Sequence, residues 1–134
     1  MNKRIAAIVV TYNRQSYLLR CIEALRQQAC DAMDILVIDN ASTDGTGDAL
    51  APLAADGVLR YYNTGANLGG AGGFNYGMRV AVEAGYDYLW IMDDDCIPDR
   101  GALAALLDAD AELDGNYGFL SGIAYWKDGS PCNM

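Results

Sequence analysis

Three carboxylates in a row, Asp93-Asp94-Asp95, directly follow the apolar run 89–92. Like charges on neighbouring residues repel one another, and a divalent cation relieves that repulsion. Carboxylate oxygens suit Mg²⁺ or Mn²⁺, and a cation held here could bind a diphosphate and stabilise the charge that develops as it departs. On an extended segment alternate side chains point the same way, so Asp93 and Asp95 are expected to converge while Asp94 faces elsewhere. The competing interpretation is an acidic surface loop.

The segment 67–75 is rich in glycine at a point where a helix is expected to begin. Glycines there allow close backbone approach to a ligand, and the free amides lie at the positive end of the helix dipole. The segment lacks the Gly-Lys-Ser/Thr ending of a phosphate-binding loop, and the dinucleotide fingerprint would instead follow the first strand. The alternative is that Gly70 to Gly73 let the helix pack tightly on the sheet.

A polar segment, 39–46, offers a second set of ligand contacts. Asp39 could accept hydrogen bonds from a base imide or a ribose hydroxyl. Ser42, Thr43 and Asp44 could equally form an Asx-rich turn that caps the next helix. The residues alone leave both interpretations open.

Strand and helix patterns alternate along the chain and must position these residues. Short apolar runs predict strands over 5–10, 35–38, 58–62 and 88–92, and a fifth strand is possible over 117–123. Such alternation predicts an α/β fold with a mostly parallel sheet and helices on both faces.

Helices are predicted in the intervals between the strands. Ser16 is the expected N-cap of the first, the second covers 46–55, and the third runs from about Ala71 to Gly85. Pro98-Asp99 is expected to open the fourth. The predicted inward faces are Leu18, Cys21, Ile22 and Leu25; Ala49, Leu50 and Leu53; Phe74, Met78 and Ala81; and Leu103, Leu106 and Leu107.

Polar residues end each of the four apolar runs: Thr11, Asp39, Asn63 and Asp93. In open parallel sheets, ligands bind in the crevice beyond the carboxyl ends of the strands. If the strand predictions hold, all four residues line one edge of the sheet. Their coincidence favours a binding site over ordinary solvated strand ends.

Composition limits the partners. The 134 residues amount to one domain, and the formal charge of −9 argues against binding nucleic acid or anionic lipid. A diphosphate ligand therefore needs a metal ion or backbone amides to offset its charge. The four cysteines are scattered and no histidine is present, so a zinc site is not expected and the thiols predict a reducing, cytoplasmic location.

Taken together, the motifs resemble the GT-A fold of family 2 glycosyltransferases, from the first residue to about Asp99. Four segments carry the likeness in the right order: V-V-T-Y-N-R, V-I-D-N-A-S-T-D-G-T, N-L-G-G-A-G-G-F-N-Y-G and I-M-D-D-D. The resemblance implies an inverting transferase that uses a UDP- or dTDP-sugar with Mg²⁺ or Mn²⁺. The glycine-rich segment is most similar to the branch that transfers rhamnosyl or galactofuranosyl groups to bacterial surface polysaccharides.

The resemblance also implies roles for particular residues. The first nucleotide-contacting loop would be Thr11, Tyr12, Asn13 and Arg14. Asp39 would read the base, with Asp44 in the loop after it, and Asn67 and Gly69 would close over the nucleotide. Asp93 and Asp94 would contact the donor, while Asp95 and Asp93 would hold the metal.

The sequence departs from the family pattern on the acceptor side. Inverting transfer needs a general base to deprotonate the attacking hydroxyl. In the family this carboxylate, and a further metal ligand that is often histidine, come from the second half of the domain. We therefore expect residues 1–134 to be the nucleotide-sugar-binding part, with the part that binds a saccharide or lipid-linked acceptor beyond Met134. Any membrane association, peripheral at the inner face, would come through that part.

Other functions fit the pattern less well. A nucleotidyltransferase would place its glycine-rich, basic loop after the first strand, where this chain has Thr-Tyr-Asn-Arg-Gln. A non-catalytic nucleotide-binding or interaction domain remains open, although the intact acidic triplet argues against it. A dehydrogenase is disfavoured by the absence of G-x-G-x-x-G after the first strand.

Overall fold

The computed structural model describes residues 3–132 and shows a four-stranded parallel sheet, in which the strands, numbered along the chain, lie in the order 3-2-1-4. Strands and helices alternate throughout, which confirms the predicted α/β class. In chain order the elements are β1 (Ile5–Thr11), α1 (Gln15–Arg26), β2 (Met33–Asp39), α2 (Thr46–Ala55), β3 (Arg60–Asn63), α3 (Gly69–Glu83), β4 (Tyr88–Asp93) and α4 (Ala102–Leu113).

The centre of the sheet is β1, all of whose residues are buried. On one face its side chains pack against α1 through the predicted stripe of Leu18, Cys21, Ile22 and Leu25, and Leu50 of α2 joins this cluster. α4 is tied to the end of α1 by Gln28, which donates to the Asp99 carbonyl (2.8 Å) and accepts from the Leu103 amide (3.2 Å).

The opposite face of the sheet is covered by α3, and here the predicted inward face was wrong at one residue. The buried face of α3 consists of Gly73, Gly77 and Ala81, whereas Met78 is 41% exposed. Glycines carry no weight in an apolar pattern, yet their lack of a side chain lets the helix backbone approach β1 and β2. The helix therefore turns its smallest residues, not its most apolar ones, toward the sheet.

Helix starts and the third strand differ from the prediction by a few residues. α1 begins at Gln15 after Arg14, so Ser16 lies inside the helix, and α3 begins two residues before Ala71. β3 pairs with β2 only over Arg60–Asn63, and α4 begins at Ala102, after a short turn that follows Pro98-Asp99. Element ends depend on tertiary hydrogen bonds that local patterns do not contain.

The predicted fifth strand is absent from the described residues. Segment 117–123 has no strand structure, and the following residues contribute one isolated bridge between Tyr125 and Pro131. A strand requires a neighbour to pair with, and Phe119 and Ile123 instead stand exposed. Among residues 3–132, no helix is both long and apolar enough to cross a bilayer.

Candidate functional site

The carboxyl ends of the strands meet at one edge, as predicted. In the sheet register Thr11 lies beside Asp39, Asp39 beside Asn63, and Asp93 beside Val10. From β1 the chain adds β2 and β3 on one side and then returns to place β4 on the other. The crevice between the ends of β1 and β4 is thus a topological switch point, where ligands of open α/β sheets bind.

Only the first residue of the acidic triplet, Asp93, belongs to the strand. β4 ends at Asp93, and the Cys96 amide donates to the Asp93 carbonyl (3.1 Å), so Asp94 and Asp95 form the centre of a turn. The expectation of an extended segment was therefore wrong, because the strand pairing with β1 stops at Asp93. Asp94 is nevertheless separated from its neighbours: it is 3% exposed, whereas Asp93 and Asp95 are open to solvent.

Asp94 is held from β1 and from the start of α1. Its carboxylate accepts a hydrogen bond from Thr11 Oγ1 (2.9 Å) and lies 3.4 Å from the Arg14 guanidinium. Burial raises the pKa of Asp94, while the Thr11 hydrogen bond and the Arg14 charge oppose that rise. The same guanidinium contacts Asp95 at 3.2 Å. Asp94 thus fixes the turn, and Asp95 projects from it.

Asn13 and Asp44 join the loop after β1 to the polar segment 39–46 after β2. The Asn13 amide donates to Ser42 Oγ (2.9 Å), and its side-chain oxygen accepts from the Thr43 amide (2.7 Å). Asp44 accepts from the Gln15 amide and from Thr46, whose hydroxyl bond is the main reason that the pKa of Asp44 is lowered. The Asx-turn interpretation is confirmed at Asp44, whose carboxylate also accepts from the Thr46 amide, but the N-cap of α2 is Gly45, which makes no side-chain cap bond. The nucleotide contacts of Asn13 and Asp44 stay predictions.

Asp39 is fully buried beneath the loop after β2. One carboxylate oxygen accepts from the Ser42 amide (2.9 Å) and the other from the Tyr61 hydroxyl (2.5 Å). Burial, followed by the bond to Asp39, raises the pKa of Tyr61 to about 12. A base could reach this carboxylate only if the loop or Tyr61 moved, so its base-reading role stays a prediction.

The glycine-rich segment divides into two parts. Gly69 has a left-handed φ of 72°, and neither Gly69 nor Gly70 has an atom within 4 Å of where a Cβ would stand. A Cβ on Gly73 would instead lie 2.6 Å from Val10 Cγ1. The packing interpretation is therefore confirmed at Gly73 but not at Gly70. Gly69 and Gly70 form an open helix start, and its approach to a ligand stays a prediction. Asn67 orders the start by accepting from the Gly69 amide (3.0 Å).

Sequence reasoning missed two residues at this edge. Asn40 is buried, donates to the Gly69 carbonyl (3.0 Å) and accepts from Thr64 Oγ1 (3.2 Å), which links the end of β2 to the start of α3. Ala41 next to it adopts a left-handed φ of 63°. The only signal in the sequence was an amide directly after Asp39, and an alanine carries none.

The predicted residues therefore fall into two groups. Thr11, Asp39 and Asp94 are buried and form the floor of the crevice. The exposed group surrounds it and consists of Tyr12, Asn13, Arg14, Asp44, Asn67, Gly69, Asp93 and Asp95. Only the second group is open to a ligand in this conformation.

The carboxylate oxygens at the acidic turn are of the ligand type that a hard divalent cation such as Mg²⁺ prefers, and such a cation needs few ligands from the protein. Within residues 3–132 no group of three or more histidine, cysteine or acidic side chains forms a complete metal cage. Mg²⁺ commonly binds through one or two carboxylates together with substrate phosphates and waters. Asp93 and Asp95 are the exposed carboxylates of this turn, but Asp95 is paired with Arg14 (3.2 Å), and Asp94 is engaged by Thr11 and Arg14. Metal binding by Asp95 and Asp93 therefore stays a prediction.

Comparison with solved structures defines the class of the fold. The mannosyltransferase PcManGT from Pyrobaculum calidifontis, solved with GDP-Man and Mn²⁺, superposes with a TM-score of 0.69 at 26% identity, over 83% of this chain and 33% of its own. The sheet, its flanking helices and the crevice thus belong to the GT-A glycosyltransferase fold.

The sequence comparisons define the family. The model of glycosyl transferase family 2 matches residues 6–127, and the chain belongs to that family. The galactofuranosyltransferase GlfT1 of Mycobacterium tuberculosis (strain ATCC 25618 / H37Rv) is 36% identical over 111 residues, which are 80% of this chain and 36% of the relative. The undecaprenyl-phosphate mannosyltransferase of Micrococcus luteus is 38% identical over 109 residues, 79% of this chain and 44% of the relative. The chain thus spans less than half the length of these two relatives.

Proposed function

We propose that the chain is the donor-binding part of an inverting glycosyltransferase, which moves a sugar from a nucleoside-diphosphate donor to a saccharide or lipid-linked acceptor. One observation carries the proposal: two exposed carboxylates and an open helix start share one end of the sheet. Asp93 lies in register with Val10, whose side chain meets α3 at Gly73. Family membership supports the reaction class.

The residues around the crevice bind and orient the donor in this proposal. The Gly69 amide donates to Asn67, so it is the amides after Gly69 in the first turn of α3 that face the negative charge of the diphosphate. Tyr12 and Asn67 are exposed beside the crevice and contact the nucleoside, whose base is read near Asp39. A UDP- or dTDP-sugar is the proposed donor, and GDP is included in the test because PcManGT was solved with GDP-Man.

Mg²⁺ or Mn²⁺ is the proposed cofactor, held by Asp95 with Asp93. When bound, the ion supplies positive charge that stabilises the departing diphosphate. Asp94 positions the proposed metal ligand Asp95, because its bonds to Thr11 and Arg14 fix the turn from which Asp95 projects. The Mn²⁺ complex of PcManGT supports this cofactor.

The acceptor side is proposed by analogy with the relatives. We propose a role in bacterial cell-surface polysaccharide synthesis, on a saccharide or a lipid-linked acceptor. The name of the undecaprenyl-phosphate mannosyltransferase supports a lipid-linked acceptor, and that of the galactofuranosyltransferase GlfT1 supports the transfer of a sugar. No residue of this chain is assigned as the general base. From the cysteine pattern we also propose a cytoplasmic location.

Calorimetric titration of UDP, dTDP and GDP into the chain, with Mn²⁺ or with EDTA, tests the donor site. We expect one nucleotide to bind more tightly than the other two, and only in the presence of the metal. Equal binding in EDTA would contradict the metal assignment, and binding of none of the three would contradict the donor site.

The substitution Asp95→Ala tests the metal ligand directly. We expect the loss of Mn²⁺-dependent nucleotide binding with an unchanged circular dichroism spectrum, because Asp95 is exposed and its carboxylate contacts only Arg14 among the described residues. Asp108→Asn on α4 is the matched control, since it also removes one exposed acidic charge. Undiminished Mn²⁺-dependent affinity in Asp95→Ala would overturn the assignment.

A further inference from the structure

Arg14 already occupies the acidic turn with a positive charge. One guanidinium nitrogen lies 3.4 Å from Asp94 Oδ1 and the other 3.2 Å from Asp95 Oδ2. The guanidinium also stacks on the ring of Tyr17, 4.8 Å from its centroid. The planar fork of an arginine suits this bridging of two carboxylates, which a lysine ammonium could not reproduce.

The two contacts of Arg14 differ in how easily they can be broken. Asp94 is buried, and the loss of Arg14 would leave a desolvated carboxylate whose one remaining side-chain hydrogen-bond donor within residues 3–132 is Thr11. Asp95 has a half-exposed side chain, and ion pairs of that exposure contribute little because water and salt screen them. The contact with Asp95 is therefore the one that a competing cation can take.

We propose that Arg14 is a positioning residue that couples the metal to the diphosphate: it neutralises Asp95 in the free protein and turns to the diphosphate when a cation takes that carboxylate. The inference rests on the proposed function. A cation that arrives alone must displace Arg14 and then stand close to its positive charge, which opposes binding. A diphosphate gives the guanidinium a new anionic partner, so metal and nucleotide each favour the binding of the other.

The coupling follows from geometry on both sides of the crevice. Arg14 immediately precedes α1, so its backbone is fixed beside the end of β1, while Asp95 projects from the turn after β4. The diphosphate site proposed above lies in the crevice between these strand ends. Arg14, which is anchored beside the end of β1, can thus exchange Asp95, on the β4 side of the crevice, for a ligand that lies between them.

The test measures Mn²⁺ affinity by electron paramagnetic resonance, with and without saturating UDP, dTDP or GDP, whichever binds. In the unaltered chain we expect the nucleotide to tighten Mn²⁺ binding strongly. In Arg14→Gln we expect Mn²⁺ alone to bind about fivefold or more tightly than in the unaltered chain, and the tightening by nucleotide to fall by a similar factor. Arg20→Gln, an exposed arginine on α1, is the control for a simple change in net charge.

A second variant separates position from charge. Arg14→Lys keeps the positive charge but cannot bridge Asp94 and Asp95. We therefore expect its coupling to be weaker than in the unaltered chain and stronger than in Arg14→Gln. It also replaces Arg14→Gln if that variant does not fold, as judged by circular dichroism.

The outcomes distinguish the inference from the proposed function. If Mn²⁺-dependent nucleotide binding is present and is lost in Asp95→Ala, but both Arg14 variants keep the full coupling, then only the inference is overturned. Equal effects of Arg20→Gln and Arg14→Gln would also overturn it, because net charge would explain them. If the unaltered chain and the Arg14 variants all fail to bind Mn²⁺ and nucleotide, the proposed function and the inference fall together.

Discussion

The floor of the crevice depends on single hydrogen bonds to buried carboxylates. Asp94 has Thr11 as its one buried neutral donor, and Asp39 has Tyr61 and the Ser42 amide. A buried carboxylate that loses a partner keeps its desolvation cost, so these donors contribute more than an average hydrogen bond. The same hydrogen-bonding atoms therefore determine both the stability of the site and its shape.

Thr11→Val should destabilise the chain by about 1–3 kcal/mol. Valine is nearly isosteric with threonine but cannot donate to Asp94 Oδ2, and Thr11 is 2% exposed, so water does not replace the hydroxyl. Urea denaturation at pH 7 measures the loss. In an Asp94→Asn background the same substitution should cost less, and equal costs in both backgrounds would show that the hydroxyl does not act through the Asp94 charge.

At the scale of elements, α3 serves two purposes with one kind of residue. Its first turn presents glycines to the crevice, and its next two turns use glycines to approach the sheet. A Cβ on Gly77 would lie 2.7 Å from Ile8 Cγ2 and 2.9 Å from Ile38 Cγ1, which are both in the core. The distance between α3 and the sheet therefore determines where the first turn of α3 lies relative to β1.

Gly77→Ala should destabilise the chain by about 1–3 kcal/mol, because the added methyl group overpacks two buried isoleucines. Gly70→Ala is the matched control on the same helix, since its Cβ would meet nothing within 4 Å. That substitution should be neutral or stabilise the chain by up to about 1 kcal/mol through helix propensity. Thermal and urea unfolding of both variants measure the difference, and a Gly77→Ala variant as stable as the parent would refute the close-packing explanation.

At the scale of the whole molecule, two tyrosines tie other parts of the chain to opposite ends of β2. Tyr61 on β3 donates to Asp39 at the carboxyl end, and Tyr86, just before β4, donates to Asp34 at the amino end (2.5 Å). Burial first, and the bond to the carboxylate second, raise the pKa of each phenol to about 12. The neutral phenol is therefore the form that the fold prefers at both ends of the sheet.

These raised pKa values predict a loss of stability at alkaline pH. A folded-state pKa above the unfolded value of 10.0 means that the folded chain holds the proton more tightly. The contribution is complete below pH 10 and is lost as the pH rises toward 12, on the order of 1 kcal/mol per phenol at pH 11. Urea midpoints measured from pH 8 to 11 check this, with Tyr125→Phe as an exposed control.

The double variant Tyr61→Phe/Tyr86→Phe decides whether these phenols cause the alkaline loss. It should start less stable at pH 8, because Asp39 and Asp34 lose a donor, and it should then lose less on going to pH 11. An unchanged pH dependence would assign the loss to other groups.

The candidate site was predictable in its place and only partly in its geometry. Thr11, Asp39, Asn63 and Asp93 could be placed at one edge because each ends an apolar run, and parallel strands end on the same side. The pairing of Arg14 with Asp94 and Asp95 joins residues about eighty positions apart, and no local pattern contains it. The turn at Asp93 and the role of Asn40 were missed for the same reason.

The sequence alone determined the order of the four strands and four helices, the edge at which the candidate site residues gather and the family. The period of the hydrophobic residues and the direction of the chain are local properties, and both can be read from short stretches of the sequence. Only the tertiary structure decided which polar residues became the buried floor and which stayed open, because that depends on which strand lies beside β1. It also decided that α3 packs through Gly73 and Gly77 and that segment 117–123 forms no strand, since both outcomes depend on space and partners supplied by distant parts of the chain.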